Sequence, residues 1–195
     1  MIDILVNKNN PLTRDYIPSD LVITDNNENN FHNYKDPNQK PCVREEVLFA
    51  FKELQKSAKE DGLEIIIDSG YRSYDYQQVI WDKNVEEKGL EHAKKYVAAP
   101  GTSEHQTGLA IDIAVYRNGV YDDNVDETYK EYEWMINNAH KYGFILRYPK
   151  GKEDITGINF EPWHYRYVGY YLANELHDKD ITLEEYYMKK KVLKK

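Results

Sequence analysis

Ser103-Glu104-His105-Gln106-Thr107-Gly108-Leu109-Ala110-Ile111-Asp112 reads as a loop running into a strand. Gly101 and Gly108 flank His105, and Leu109 to Val115 is a short apolar run of the kind that forms a buried strand. His105 therefore belongs to the loop and Asp112 to the strand. About fifty residues further on, Glu161-Pro162-Trp163-His164 adds a second imidazole and a second carboxylate. Two imidazoles and one carboxylate match the ligand count of a catalytic zinc site, whose fourth position is left to water. Glu161 is then spare, and could take a proton from that water.

Neither segment means much alone. A His-x6-Asp pair recurs by chance, and a Trp-His pair is often a packed aromatic edge. Glu-x-x-His also builds di-iron bundles, but those need two copies on helices, and Pro162 argues against a helix interior. The His-Glu-x-x-His helix of many zinc proteases is absent from the sequence. The conjunction of the two segments carries the inference.

Working outward, residues 7 to 40 are rich in Asn, Asp and Pro and read as an extended arm. Val43, Val47, Leu48, Phe51, Leu54 and Ala58 recur at helical spacing, with Cys42 at the start of the pattern and Asp61-Gly62 ending it. Leu63 to Asp68 is a buried strand. Ser73 caps a helix through about Lys88, with Val79, Ile80 and Trp81 towards its inner side. Tyr116 to Thr128 is expected as an exposed loop, and Tyr129 to Tyr142 as a helix closed by Gly143. Phe144 to Arg147 and Phe160 to Tyr167 are further strands. Thr182-x-x-Glu185 is a capping box for a last helix. A spacing of three puts Glu161 and His164 on opposite faces of a flat strand. Pro162 is therefore expected to mark a bend or bulge that lets both converge.

Ser69-Gly70-Tyr71-Arg72-Ser73-Tyr74 with Gln77, then Ser103-x-His105-x6-Asp112, then Glu161-Pro162-Trp163-His164-Tyr165-Arg166-Tyr167-Val168-Gly169, resemble the VanY-type D-alanyl-D-alanine carboxypeptidases. This zinc peptidase family also includes L,D-carboxypeptidases and the VanX and VanXY dipeptidases. The resemblance extends to Val6-Asn7-Lys8-Asn9-Asn10-Pro11-Leu12 and Tyr142-Gly143-Phe144-Ile145-Leu146-Arg147-Tyr148-Pro149, and covers roughly residues 4 to 187. It implies an α+β fold, a small antiparallel sheet with helices packed on it and the zinc site in a cleft on the sheet face. It implies His105, Asp112 and His164 as zinc ligands and Glu161 as the base. It also places Arg72 against the scissile carbonyl or the substrate's terminal carboxylate, where a planar guanidinium suits a bidentate pair. Gln77 and Ser103 are lesser candidates for the same end of the substrate. Trp163 and Tyr148 are candidates to wall the pocket for a D-alanine methyl, with packing an equal explanation.

The implied function is a zinc D,D-carboxypeptidase that removes the terminal D-alanine of peptidoglycan stem peptides. Alternatives within the family are an L,D-carboxypeptidase on tetrapeptide stems and a VanX- or VanXY-like D,D-dipeptidase. A muropeptide-binding zinc module is the non-enzymatic alternative, disfavoured because a pure binder has no use for Glu161.

Composition fits such an enzyme. The 195 residues suit one domain, 1–195, with an irregular N-terminal arm to residue 40 and a basic tail at 188–195. A net charge of −8 speaks against nucleic acid as a partner. Cys42 is the only cysteine, so no internal disulfide forms, and a monomer is expected. No run approaches the roughly 18 apolar residues of a membrane span, and Met1-Ile2-Asp3 does not begin a signal peptide. The chain is thus expected in the cell envelope if it is a trimmed secreted domain, and in the cytoplasm if Met1 is the native start. His32, His92, His140 and His177 read as structural or solvated. Glu104 reads as a loop carboxylate without a catalytic role.

Overall fold

Leu21–Ile23 (β1) and Cys42–Arg44 (β2) pair antiparallel as a two-stranded ribbon, with Val22 opposite Val43. The computed structural model describes residues 2, 4–24 and 41–192. The remainder of the expected arm, residues 25–40 with His32, lies outside the described residues, as does the end of the basic tail at 193–195. Cys42 and Val43 therefore sit on a strand, and the helical pattern begins only at Glu45.

The helix Glu45–Glu60 (α1) buries Val47, Phe51, Leu54 and Ala58 along one stripe. Burying each of the three larger side chains contributes about 1.5–3 kcal/mol. Gly62 then turns the chain into Glu64–Ser69 (β3). Tyr74–Lys88 (α2) starts where the Ser73 hydroxyl accepts the Tyr76 N–H at 3.1 Å. Its buried residues are Tyr76 and Gln77; Ile80 and Trp81, one turn on from Gln77, are half-buried as expected, while Val79 is exposed. Val79 leaves the inner face because consecutive residues point 100° apart on a helix. Leu90–Tyr96 (α3) follows directly.

After a 3₁₀ turn at Glu104–Thr107, Ala110–Arg117 (β4) forms the central strand. The expected loop from Tyr116 is instead a hairpin: Asn118 and Gly119 both take positive φ (53° and 76°) and return the chain as Val120–Asp122 (β5). Asn-Gly suits this two-residue turn because both central positions need left-handed backbone. Val125, beyond the hairpin, is buried. Lys130–Asn138 (α4) tightens into a 3₁₀ turn at Ala139–Tyr142 and ends at Gly143, in place of one continuous helix. Phe144–Leu146 (β6), the short helix Glu153–Thr156 (α5) and His164–Tyr167 (β7) complete the sheet region. Tyr170–Lys179 (α6) and Leu183–Val192 (α7) close the chain. Both halves of the α7 capping box form: Glu185 N–H donates to Thr182 Oγ1, and Thr182 N–H to Glu185 Oε2.

The fold is α+β, an antiparallel sheet in the order β3-β4-β7-β6 with β5 pairing the far end of β4. Alternation along the strands divides its two faces. Ile65, Ile67, Ile111, Ile113, Val115, Phe144 and Tyr165 face α1 and make the main core. Ile145 joins Val168, Ala173, Leu176 and Leu183 in a second cluster beneath α6 and α7. Asp112, His164 and Arg166, each out of phase with the main-core residues of its strand, are left on the face that carries the chemistry. No described helix is long and apolar enough to cross a membrane.

Candidate metal centre and its cleft

Asp112 and His164 are cross-strand neighbours, directly opposite in the β4–β7 register. Side chains so placed share one face with Cβ atoms about 5 Å apart. His105 comes from the 3₁₀ turn just before β4. It is brought in by the end of β3, where the pairing slips between Ile67 and Ser69 and re-aims the next residues. Gly70 O then accepts His105 Nδ1–H at 2.6 Å, and Arg72 N–H donates to His105 O at 3.2 Å. Nε2 of His105 is thereby left bare.

Gly70 has to be glycine here. A Cβ would stand 2.2 Å from Cys42 O and 2.9 Å from Val43 Cγ1. A Gly70→Ala substitution is expected to cost about 1–3 kcal/mol, the scale of overpacking, and to displace His105. An unchanged urea midpoint would show that β2 yields instead.

The donor atoms of His105, Asp112 and His164 lie within 4.8 Å of one another, the one such trio among the described residues. His105 Nε2 is 3.3 Å from His164 Nδ1 and 3.2 Å from Asp112 Oδ2, while His164 Nδ1 is 2.9 Å from Asp112 Oδ1. Tetrahedral zinc with arms of 2.0–2.1 Å sets its ligands about 3.3 Å apart. Asp112 meets the two imidazoles with different oxygens, and all three separations lie near that length, as one shared zinc ion requires.

Electrostatics around the trio follow from burial and neighbours. Burial, with Arg72, lowers His105 to about 4 against the pull of Asp112. Burial also disfavours charge on His164, but the carboxylates of Asp112 and Glu104 outweigh it and raise this imidazole to about 9. Burial would raise Asp112, yet His105, His164 and Arg72 hold it well below the usual carboxylate range.

Glu161 does not lie on a strand. Its N–H donates to Tyr148 O and its carbonyl accepts His164 N–H at 3.2 Å, so Glu161-Pro162-Trp163-His164 is a turn and β7 begins at His164. Proline at the second position presets the turn's φ; this turn is the bend expected at Pro162, and it removes the opposite-face conflict. Glu161 Oε2 ends 3.7 Å from His164 Nδ1, 9% of the residue exposed. Burial pushes its carboxyl up to about 7, with Asp112 adding to the rise and His164 and Arg72 opposing it.

Arg72 Nη2 donates to Asp112 Oδ2 at 3.0 Å, Nη1 reaches Gln77 Oε1 at 3.5 Å, and Nε is buried without a partner. Gln77 is fixed in turn by donating to Ala98 O. Arg72, Gln77, Ser103, Tyr148 and Trp163 all line one cleft of about 170 Å³ with the trio and Glu161. Tyr148 is buried, its ring centroid 4.9 Å from that of His164. Trp163 also packs against the main core. Ile80, from the inner side of α2, and Tyr96, Val97, Ala98 and Ile158 complete the walls; nothing in the local sequence marks the last four, since they meet α2 only when α3 and the turn after α5 fold against it. Larger hollows of about 340 and 570 Å³ lack such a donor trio among the described residues, so chemistry rather than size singles out this cleft.

Glu104 differs from its expected surroundings. It is no loose loop carboxylate: it is 1% exposed and pairs with Arg147 and Arg166 at 2.8 Å each. Burial alone would raise its carboxyl, but the two guanidinium groups hold it low. His140 and His177 stack on one another with centroids 3.6 Å apart, remote from the cleft.

A single-ion donor trio beside a spare buried carboxyl, on one face of a small antiparallel sheet, is the layout of metal-dependent hydrolases. Sequence comparison narrows it: the profile of the VanY D-alanyl-D-alanine carboxypeptidases matches residues 40–170, and the chain belongs to this family. YodJ of Bacillus subtilis is 48% identical over 187 residues, 96% of this chain and 67% of that protein. The solved LdcB LD-carboxypeptidase superposes with a TM-score of 0.82 at 47% identity, covering 94% of this chain and 84% of LdcB. A VanY D,D-pentapeptidase from a VanB-type resistance cassette, solved with Zn(II), gives a TM-score of 0.77 at 35% identity, covering 95% of this chain and 98% of the other. The chain spans about two thirds of YodJ and little more than half of two enterococcal D-alanyl-D-alanine carboxypeptidases that it matches.

Proposed function

We propose that this protein is a zinc carboxypeptidase that releases the terminal D-alanine from peptidoglycan stem peptides ending in D-Ala-D-Ala. The observation that carries the proposal is the trio of His105, Asp112 and His164 at tetrahedral edge lengths, with Glu161 beside it and outside it. His105 Nε2, His164 Nδ1 and Asp112 would hold the ion. When bound there, zinc supplies Lewis acidity that makes a water nucleophilic near neutral pH and polarises the scissile carbonyl.

The chain's own groups do the rest. Glu161 accepts the proton of the attacking water and passes it to the leaving amine. Its buried position keeps its basicity close to that task. Arg72 offers a guanidinium with an unpaired Nε to the substrate's carboxylate or to the developing oxyanion. Gln77 steadies that guanidinium, and Ser103 lies at the same end of the cleft. Tyr148 and Trp163 form walls that a D-alanine methyl can touch. The reading takes residues 1–195 as one domain acting as a monomer.

A second reading, an L,D-carboxypeptidase acting on tetrapeptide stems, is favoured by the likeness to LdcB. Release of D-alanine from D-Ala-D-Ala, a tetrapeptide stem and a pentapeptide stem separates the readings. The first expects the pentapeptide to be preferred, the second the tetrapeptide, and a VanX-like dipeptidase the free dipeptide. No release from any of them would sink all three.

Arg72 supplies a sharper test. An unpaired buried charge costs about 3–5 kcal/mol, so Arg72→Ala and Arg72→Lys should each lose on the order of a hundredfold in kcat/KM, since lysine lacks the planar fork. Because Arg72 also pairs with Asp112, zinc content is measured in both variants. Amidating the substrate's C-terminus should hurt the wild type severely and add little to the loss in Arg72→Ala. Equal proportional losses would assign the carboxylate to another residue.

A further inference from the structure

We propose that Glu104 is a positioning residue that holds the proton of His164 on Nε2, and so presents Nδ1 bare to the metal. The inference rests on the reading above that His164 Nδ1 is a zinc ligand. An imidazole that gives one nitrogen to a metal keeps its proton on the other, and whatever accepts that proton fixes ring and tautomer. For His105 the acceptor is Gly70 O. His164 needs a counterpart.

Its Nδ1 faces His105, Asp112 and Glu161, so Nε2 points backwards into the protein. There Nε2 and Glu104 Oε2 are both buried, and neither has a hydrogen-bond partner among the described residues. The two atoms face each other across 4.0 Å. Everything else around Glu104 is satisfied. Its Oε1 takes Arg147 Nε and Arg166 Nη1 at 2.8 Å each. Arg147 spends its remaining nitrogens on Glu184 at 2.9 and 2.6 Å. Arg166 spends its own on the carbonyls of Tyr167, Ile2 and Ile4.

Two carboxylates and two guanidinium groups balance in charge, and Oε1 alone would satisfy the network. Oε2 is the one acceptor left over, and it looks at the one unpaired nitrogen of the trio. Without metal, Nδ1 donates its proton to Asp112 at 2.9 Å, and Nε2 stands 4.0 Å from Oε2, too far for a hydrogen bond. With the proton on Nε2 instead, the same pair closes into an N–H···O bond and Nδ1 is freed. Glu104 therefore biases the ring towards the metal-ready form.

The test is zinc affinity of the purified chain, measured by calorimetric titration of the metal-free protein. Glu104→Gln keeps the size but can turn an amide N–H towards Nε2, favouring the wrong tautomer. It should weaken zinc binding by about 10–100-fold, the usual scale for the partner of a ligating histidine. Glu184→Gln removes the same charge from the same network without facing His164, and should stay within about threefold of the wild type. If both variants lose affinity equally, the role is structural and the proposal fails. Should Glu104→Gln not fold, Glu104→Asp keeps the charge and withdraws the carboxylate; unchanged zinc affinity there would overturn the proposal, and a weakened one supports it. In the zinc-loaded protein, the His164 Nε2–H resonance should lie downfield and move upfield in the Glu104 variant; an unmoved resonance also overturns it. A wild type that binds no zinc would instead defeat the metal reading itself.

Discussion

Replacing Glu161 with Gln is expected to cut turnover by at least about a hundredfold, the usual scale for losing a general base, while zinc stays bound. The amide keeps the size and much of the hydrogen bonding of the carboxyl but cannot accept the proton of the attacking water. Glu161 lies outside the trio, its oxygen 3.7 Å from His164 Nδ1, so the three donors remain intact. Zinc content by elemental analysis, set beside the rate of D-alanine release, checks both halves. If Glu161→Gln loses the metal, Glu161 is a ligand and its role and that of Asp112 must be exchanged. An unimpaired rate with full zinc would remove general-base chemistry from Glu161.

Removal of the metal is expected to abolish activity, and one equivalent of zinc to restore it. The expectation rests on the donor geometry: His105 Nε2, His164 Nδ1 and the Asp112 carboxylate converge within 2.9 to 3.3 Å of one another, close enough to meet at one ion. Zinc should also raise the thermal midpoint, because an ion that binds only the folded state stabilises it by about 4 kcal/mol at a thousandfold excess over Kd. His105→Ala should lose both the metal and the stabilisation. A chelated protein that hydrolyses at the original rate would defeat the mechanism. Full zinc binding and an undiminished midpoint shift in His105→Ala would place the ion elsewhere.

The trio could be read from the chain because local rules place each member. His105 sits between glycines just before an apolar run, Asp112 lies on that run, and Glu161-Pro162-Trp163-His164 is a single turn whose proline fixes its shape. The hairpin at Asn118-Gly119 carried an equally local signal, a two-residue pair that accepts left-handed backbone, obscured by the acidic side chains around it. On α2, Ile80 and Trp81 keep to the inner side and Val79 does not, because a helix cannot turn three consecutive residues to one side.

Sequence by itself determined most of the strands and helices, the donor trio and the presence of a spare carboxyl, since periodicity, glycine placement and short-range spacing act within a few residues; the antiparallel pairing came from the family resemblance. Tertiary structure alone decided what surrounds them. Glu104 is buried because Arg147 and Arg166, some 40 and 60 residues away in sequence, converge on one of its oxygens. Arg72 reaches Asp112 across 40 residues because a slipped register ends β3 beside the 3₁₀ turn. The cleft walls at Tyr96 and Ile158 exist only once α3 and the turn after α5 meet. Burial energy and charge pairing depend on which distant groups share a low-dielectric space, and no local pattern encodes that company.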